Sequence, residues 1–258
     1  MNGGLHISLA ADRLGTFLGL PITNTLLSAW AVMAVLIITA IVVGRNPRLI
    51  PGRVQNFFEM LFDFVLDYME QTLGTRELAM RFFPLILTIF LFIFTSNLFD
   101  FLPFFGSVGI IQNGTLVPLF RPVNTDLNTT LALAIIAYIV IEITGVVLLG
   151  FLKYGSKFVN FKGGVLGFII GIIELVSNLA RLISFSFRLF GNVFAGEVLI
   201  AVALSFLPYI LPVPIMLFET FVGLVQAAIF ALLTLVFIKI AITEPHEVDA
   251  PHTPQTSH

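Results

Sequence analysis

Residues 165–207 read VLGFIIGIIELVSNLARLISFSFRLFGNVFAGEVLIAVALSFL, an apolar run of 43 residues broken only by isolated polar groups. At 1.5 Å per residue a helix of this length reaches about 65 Å, roughly twice the ~30 Å of hydrocarbon in a bilayer. Tilts of up to ~40° do not absorb that excess. Two short spans would need an irregular turn near Arg188 and Asn192, and backbone left unsatisfied in lipid is costly. The expectation is one long helix lying steeply inclined in a membrane. Among its polar residues are Glu174, Asn178, Arg181, Ser184, Arg188, Asn192 and Glu197. At about 100° per residue, Glu174, Asn178, Arg181, Arg188 and Asn192 fall near 0°, 40°, −20°, −40° and 0°, a single narrow stripe. Glu197 falls near ~140°, on another face. Gly191 and Gly196 permit close approach by another helix.

The whole composition agrees with a membrane setting. Of 258 residues, 58% are hydrophobic and 11% charged, with 28 Phe, and mean hydropathy is +1.03. Soluble chains are about 45–50% apolar and ~25% charged, so too few charges remain here to cover so much apolar surface. A net charge of −2 offers no basic excess for phosphates, which argues against nucleic acid as a partner. The absence of Cys excludes disulfide frameworks, thiolate metal sites and cysteine nucleophiles. His6, His246, His252 and His258 stand near the two ends, where a buried imidazole cluster is not expected. No metal and no cofactor are therefore expected.

Further apolar runs complete an all-α, polytopic architecture of about five membrane segments: 24–44, 82–99, 129–152, 165–207 and 213–242. The last two are expected to form a long hairpin. Residues 54–73 differ, because Glu59, Asp63, Asp67 and Glu70 share one helical face while Phe57, Phe58, Leu61, Phe62, Phe64, Val65 and Tyr68 fill the remainder. That pattern suits an amphipathic helix at the interface or on partners, with the acids as a solvated face. Residues 101–128 are Gly-, Pro- and Asn-containing and are expected to be a loop, with Pro208 and Pro212 marking a turn. The single membrane domain thus covers 24–242, flanked by segment 1–23 and a polar, disordered tail over 243–258. Segment 1–23 lacks a basic region followed by a small-residue cleavage site, so no signal peptide is read there.

Positive charge orients the chain. Arg45, Arg48, Arg53, Arg76 and Arg81 lie between the first two spans and Lys153, Lys157 and Lys162 after the third, whereas 101–128 holds only Arg121 and the N-terminal stretch only Arg13. The N-terminus is expected outside and the C-terminal tail inside, near Lys239.

Ionisable residues inside spans mark functional sites by default. Arg188 lies among Phe185, Phe187, Leu189 and Phe190 with no acid within four residues, and a guanidinium cannot shed its proton. Its partner is expected to be a carboxylate on another subunit. Arg181 and Glu174, seven apart, read either as a structural pair or as functional groups. Glu142 reads as packing or snorkelling. Asp100 and Asp126 border the 101–128 loop, where turn and cap roles compete with function.

The run Phe187-Arg188-Leu189-Phe190-Gly191-Asn192-Val193-Phe194-Ala195-Gly196-Glu197 resembles the (L/F)RLFGNxxAGE signature of the a-subunit family of F-type ATP synthases, the membrane stator facing a rotating ring. Gln226 in LVQAAIFALLTLVFI, Asn97 to Asp100 with Pro103, and PVNTDLNTTLALA from Pro122 resemble further motifs of that family, so the similarity runs from Asn97 to Ile242. The resemblance implies a proton-translocating role without a catalytic site of its own. It implies that Arg188 is the stator arginine that acts on the ring carboxylate and separates two half-channels, with Asn192 and Gln226 beside it. Glu197 and Glu219, with Asp100 and Asp126, would line the outer half-channel, and Glu174 with Ser184 the inner one. Glu219 stands where some members carry His, so two acids would titrate as a coupled pair. Implied partners are the ring of c subunits, the peripheral-stalk b subunit, other ATP synthase subunits, lipid and protons. The expected location is a bacterial plasma (inner) membrane, with a mitochondrial inner membrane as the alternative. A secondary transporter with a midplane site is the competing function, but matched broken helices and internal repeats are not seen in the sequence. A scaffold would leave the stripe unexplained, and a hydrolase lacks a nucleophile–base set or nucleotide loop.

Overall fold

The computed structural model describes residues 11–17, 19–45, 52–100, 108–112, 115–155, 164–207 and 210–243. Among the described residues seven α-helices run α1 (Asn24–Gly44), α2 (Arg53–Leu73), α3 (Arg76–Phe99), α4 (Leu127–Leu149), the short α5 (Phe151–Gly155), α6 (Gly164–Phe206) and α7 (Pro212–Ile242). Five of them, α1, α3, α4, α6 and α7, are long and apolar enough to cross a membrane. This is the all-α polytopic architecture expected from the sequence.

The helix ends have local causes. Thr23 and Thr75 cap α1 and α3 by accepting hydrogen bonds from the Leu26 and Leu78 amides at 3.3 and 3.4 Å. Because Thr75 provides that cap, α3 starts at Arg76 and not at Phe82, with Pro84 accommodated inside the helix. Asp126 caps α4 through the Asn128 amide at 3.0 Å. Gly150, at φ +84°, then stops α4 in a backbone conformation that L side chains rarely adopt. The expected span 129–152 is therefore displaced to 127–149, and α5 follows as a separate turn. Pro212 is the first residue of α7 and does not belong to the turn before it, since a proline at that position gives up an amide that has no helical partner anyway.

Three features were not anticipated. Residues Arg13–Phe17 (β1) and Leu20–Thr23 (β2) pair antiparallel, as do Gly109–Gln112 (β3) and Thr115–Pro118 (β4), and a 3-10 turn covers Val123–Thr125. The first hairpin lies in the segment before the first span and the second within the expected loop. Both are too short for period-two patterning to show. Residues 1–10 and 244–258, which include most of the expected tail, lie outside the described residues, as do Arg48, Lys157, Lys162 and Pro208.

α6 is one continuous helix of 43 residues. An unbroken helix pairs its interior backbone groups within itself, which suits a lipid environment. α7 is the most buried of the long helices and packs on α3, α4 and α6. Two apolar clusters hold the bundle. One joins Leu66, Met69 and Leu73 of α2 to Ala79, Phe82 and Ile86 of α3, Tyr154 of α5 and Leu235, Ile238 and Ala241 of α7. The other joins Ile89 and Ile93 of α3 to Ala134 and Ala137 of α4, Phe185 and Leu189 of α6 and Ala227 and Phe230 of α7. Lipid tails are as apolar as these side chains, so close packing and hydrogen bonds hold the helices together more than water exclusion does.

α2 has three faces. Phe62, Leu66, Met69 and Leu73 turn toward the bundle, Glu59, Asp63 and Asp67 are exposed, and Phe57, Met60, Phe64 and Tyr68 form an exposed apolar stripe. Arg76 bridges Asp67 and Glu70 at 3.1 and 3.0 Å. Lys239 at the end of α7 donates to the Leu73 carbonyl at 3.1 Å, a cation placed on the negative end of the α2 dipole.

Candidate functional site

The stripe read along α6 divides in two. Asn178 is buried, and its amide donates to a Glu142 carboxylate oxygen at 3.5 Å. The Arg181 guanidinium lies 3.9 Å over the Phe237 ring of α7, a cation–π contact. Arg188 is exposed and makes no hydrogen bond or ion pair with any described residue. The direction in which α6 is buried explains the division: Phe185 and Leu189 lie within the bundle at about 20° and 60° from Glu174. Asn178 points the same way, while Arg188, at about −40°, falls at the edge of the buried sector. Its neighbour Phe187 is likewise exposed.

One turn beyond Arg188, Asn192 reaches a cleft between α3, α6 and α7. Asn97, Asp100, Asn192, Val193, Glu219, Val222 and Gly223 line it, and it leaves about 20 Å³ for the centre of a water molecule, enough for one. Gly196 brings α7 against α6 here, because a Cβ at that position would overlap the Glu219 carboxylate. Glu219 is thus seated one residue from Glu197. One carboxylate oxygen each of Asp100 and Glu197 is buried without a hydrogen-bond partner among the described residues, and Asp100 lies within electrostatic reach of Glu197. Buried polar atoms of this kind are ordinarily satisfied by water. Asp100, Asn192, Glu197 and Glu219 are therefore gathered in one small, polar region. Gln226 is buried on α7 with its amide nitrogen unpartnered among the described residues, next to Ala227, which packs in the same cluster as Phe185 and Leu189.

Asp126 stands apart from that group. Besides capping α4 it accepts a hydrogen bond from the Thr25 hydroxyl at 2.9 Å, within a buried polar knot at this end of the bundle. The knot includes Ser28, whose hydroxyl accepts from the Arg121 amide at 3.1 Å. It also includes Asn97, which donates to the Gly223 carbonyl at 3.0 Å and accepts from Asn124 at 2.7 Å. Toward the opposite end, Glu174 is half-buried and Ser184 exposed, and neither is brought to the Asp100–Glu219 cleft.

Two participants escaped the sequence. Arg121 counted there only as a loop charge, yet it is 6% exposed, donates to Thr125 at 3.3 Å and lies within electrostatic reach of Glu197. A single arginine in a Pro- and Asn-rich loop gives no periodicity by which to place it. Glu142, read from the sequence as packing or snorkelling, makes a specific contact, since the Tyr154 hydroxyl donates to it at 2.8 Å. The signal available was an acid inside the third span, Glu142, followed by Tyr154 just beyond its end.

Known proteins point the same way as this geometry. A family model described as ATP synthase A chain matches residues 26–239. ATP synthase subunit a 2 of Syntrophotalea carbinolica is 36% identical over 248 residues, covering 94% of this chain and 94% of that protein. ATP synthase subunit a of Desulfotalea psychrophila is 33% identical over 256 residues, covering 94% and 98%, and that of Campylobacter jejuni is 34% identical over 209 residues, covering 80% and 84%. With five membrane-crossing helices and bacterial relatives, the chain is an integral protein of a bacterial inner membrane. It belongs to the ATP synthase A chain family, as a membrane-sector subunit of the proton-transporting ATP synthase and not a catalytic one.

Proposed function

We propose that Arg188 is the stator cation past which the carboxylates of a rotating c ring move, separating two aqueous half-channels. The observation that carries this is a permanently charged side chain, midway along a 43-residue apolar helix, exposed on the bundle surface without a partner among the described residues. A charge placed there at a cost of ~2.5–3.5 kcal/mol on insertion scales calls for a counter-charge from outside the chain. Its field lowers the pKa of an approaching ring carboxylate, so the proton leaves into one half-channel, and it repels protons that would leak straight across. A pair 4 Å apart at an effective dielectric of 20 is worth ~4 kcal/mol, and the membrane potential supplies ~2.3 kcal/mol per charge per 100 mV. The attraction is thus of a size that rotation can break. Asn192 and Gln226 keep the contact hydrogen-bonded and transient.

The outer half-channel runs through Asp100, Glu197 and Glu219 to Asn192, with Asp126 at its margin. The inner one runs through Glu174 and Ser184. Room for one water in the Asp100–Glu219 cleft suits proton hopping and is too small for a transported solute. The N-terminus lies outside and the C-terminus in the cytoplasm, a reading supported by Arg76, Lys153 and Lys239 clustering at one end of the bundle around Leu73 and Tyr154. The ends of the single domain, with its N-terminal segment before 24 and tail after 242, follow the same topology. α6 lies inclined across the ring wall, and the exposed faces of α2 meet the interface and the peripheral-stalk b subunit.

The test is ATP-driven acidification of membrane vesicles carrying the whole complex. Arg188→Ala abolishes it while the assembled complex remains at parental levels. Full coupled turnover in that variant would refute the proposal.

A further inference from the structure

Glu142, well along α4, belongs to neither arm of the proposed path, yet both its carboxylate oxygens are engaged. Tyr154 donates to one at 2.8 Å and Asn178 to the other at 3.5 Å. Tyr154 is 6% exposed, and its ring fills the space over Gly145, where a Cβ would collide with it. Burial and the Glu142 hydrogen bond push the Tyr154 pKa up, so the hydroxyl stays protonated and keeps donating.

Arg181 stands three residues beyond Asn178 on the same helix. It packs over Phe237, and no described carboxylate approaches within 4 Å of it. Its charge and that of Glu142 nevertheless act together on Tyr138 and Tyr154. Arg181 and Tyr138 also line one small cleft with Ala134, Ile141, Leu182 and Phe185. The groups facing Arg181 are thus Tyr138 and Glu142 from α4, Tyr154 from α5 and Phe237 from α7, and Glu142 is the acid among them.

We propose that Glu142 is the counter-charge of Arg181 and a positioning residue for the inner arm of the path. Clamped by Tyr154 and tied to Asn178, it cancels the field of a guanidinium that would otherwise lie across the approach from Glu174 to Arg188. This rests on the half-channel reading above. An arginine cannot shed its proton, so an uncompensated one on the route repels every proton that passes. At an effective dielectric of 20 and about 10 Å, that repulsion lowers local proton occupancy about tenfold. The reverse loss matters less, because a lone carboxylate beside the route attracts protons and does not repel them.

The experiment uses membrane vesicles carrying the whole ATP synthase, in which proton conduction per assembled complex is measured for Glu142→Gln, Arg181→Gln and the double variant. Glu142→Gln slows conduction about tenfold, Arg181→Gln leaves it within about twofold, and the double variant returns to within about twofold of the parent. Such rescue by a second charge removal is not expected of a residue that only packs. A double variant as slow as Glu142→Gln, or a Glu142→Gln with parental conduction, overturns the proposal. Should Glu142→Gln fail to assemble, recovery of assembled complex in the double variant supports the charge pairing and its absence refutes it. Arg188→Ala run in parallel separates the two claims. Pumping in that variant sinks the proposed function itself, whereas failed rescue with a silent Arg188→Ala removes only the role of Glu142.

Discussion

Arg181 and Arg188 sit two turns apart on one helix, point within about 20° of each other, and live in different chemical surroundings. Arg181 rests on the Phe237 ring beside a bundle interior that supplies Glu142, Asn178 and two tyrosines. Arg188 has apolar neighbours and no partner among the described residues. What differs is which helices lie alongside: α4 and α7 pack against α6 near Asn178 and Arg181, and the burial of α6 at Phe185 and Leu189 leaves Arg188 just outside the covered sector. In the reading proposed above, one cation is answered within the chain and the other is left for a partner. The same residue type, in the same apolar segment, thus stands either packed on the bundle or exposed at its surface.

The sharpest way to break this contrast is Arg188→Ala, which abolishes ATP-driven acidification of vesicles with the complex intact, whereas Arg181→Gln does not. Next in size is Gly196→Val. Its side chain displaces the Glu219 carboxylate from α6, and misplacement by about 1 Å costs up to about a hundredfold in rate, read as slowed proton conduction per complex. Gly145→Val pushes the Tyr154 ring off its seat and loosens Glu142. Conduction then falls by less than in Glu142→Gln, because the carboxylate keeps its charge. Asn97→Ala tests the polar knot and not either arginine. It strands the Gly223 carbonyl and Asn124 and lowers the thermal stability of the subunit by about 1–3 kcal/mol. The smallest effect belongs to Lys239→Ala, which removes a cation from the end of α2 and costs about 0.3–1 kcal/mol, less at high salt.

Much of this was legible in the chain itself, for identifiable reasons. Apolar runs of about 20 residues announce spans because lipid forces every backbone group to pair within its own helix. The length of segment 165–207 foretold a single helix of unusual reach, and the structure carries it unbroken from Gly164 to Phe206. The resemblance around Arg188 pointed to the family that the comparisons then showed. Patterning failed where the elements are short or the contacts distant. Strands of four and five residues leave no period to detect, and α3 begins early because of a threonine cap that hydropathy does not weigh.

Other features needed the folded chain. A helical wheel puts Asn178, Arg181 and Arg188 on one stripe, because it knows only the angle of each side chain about its own axis. Which part of that stripe is covered depends on where α4 and α7 pass, and no spacing within α6 encodes that. The pairing of Glu142 with Tyr154 and Asn178, the burial of Arg121 and the seating of Glu219 against Gly196 are likewise contacts between distant segments. From its sequence alone the chain is committed to a membrane and to an arginine within it, since hydropathy and a permanent charge are properties of residues. Whether such a charge is answered from inside the bundle or from beyond it was decided only by packing, since neutralisation is a property of neighbours.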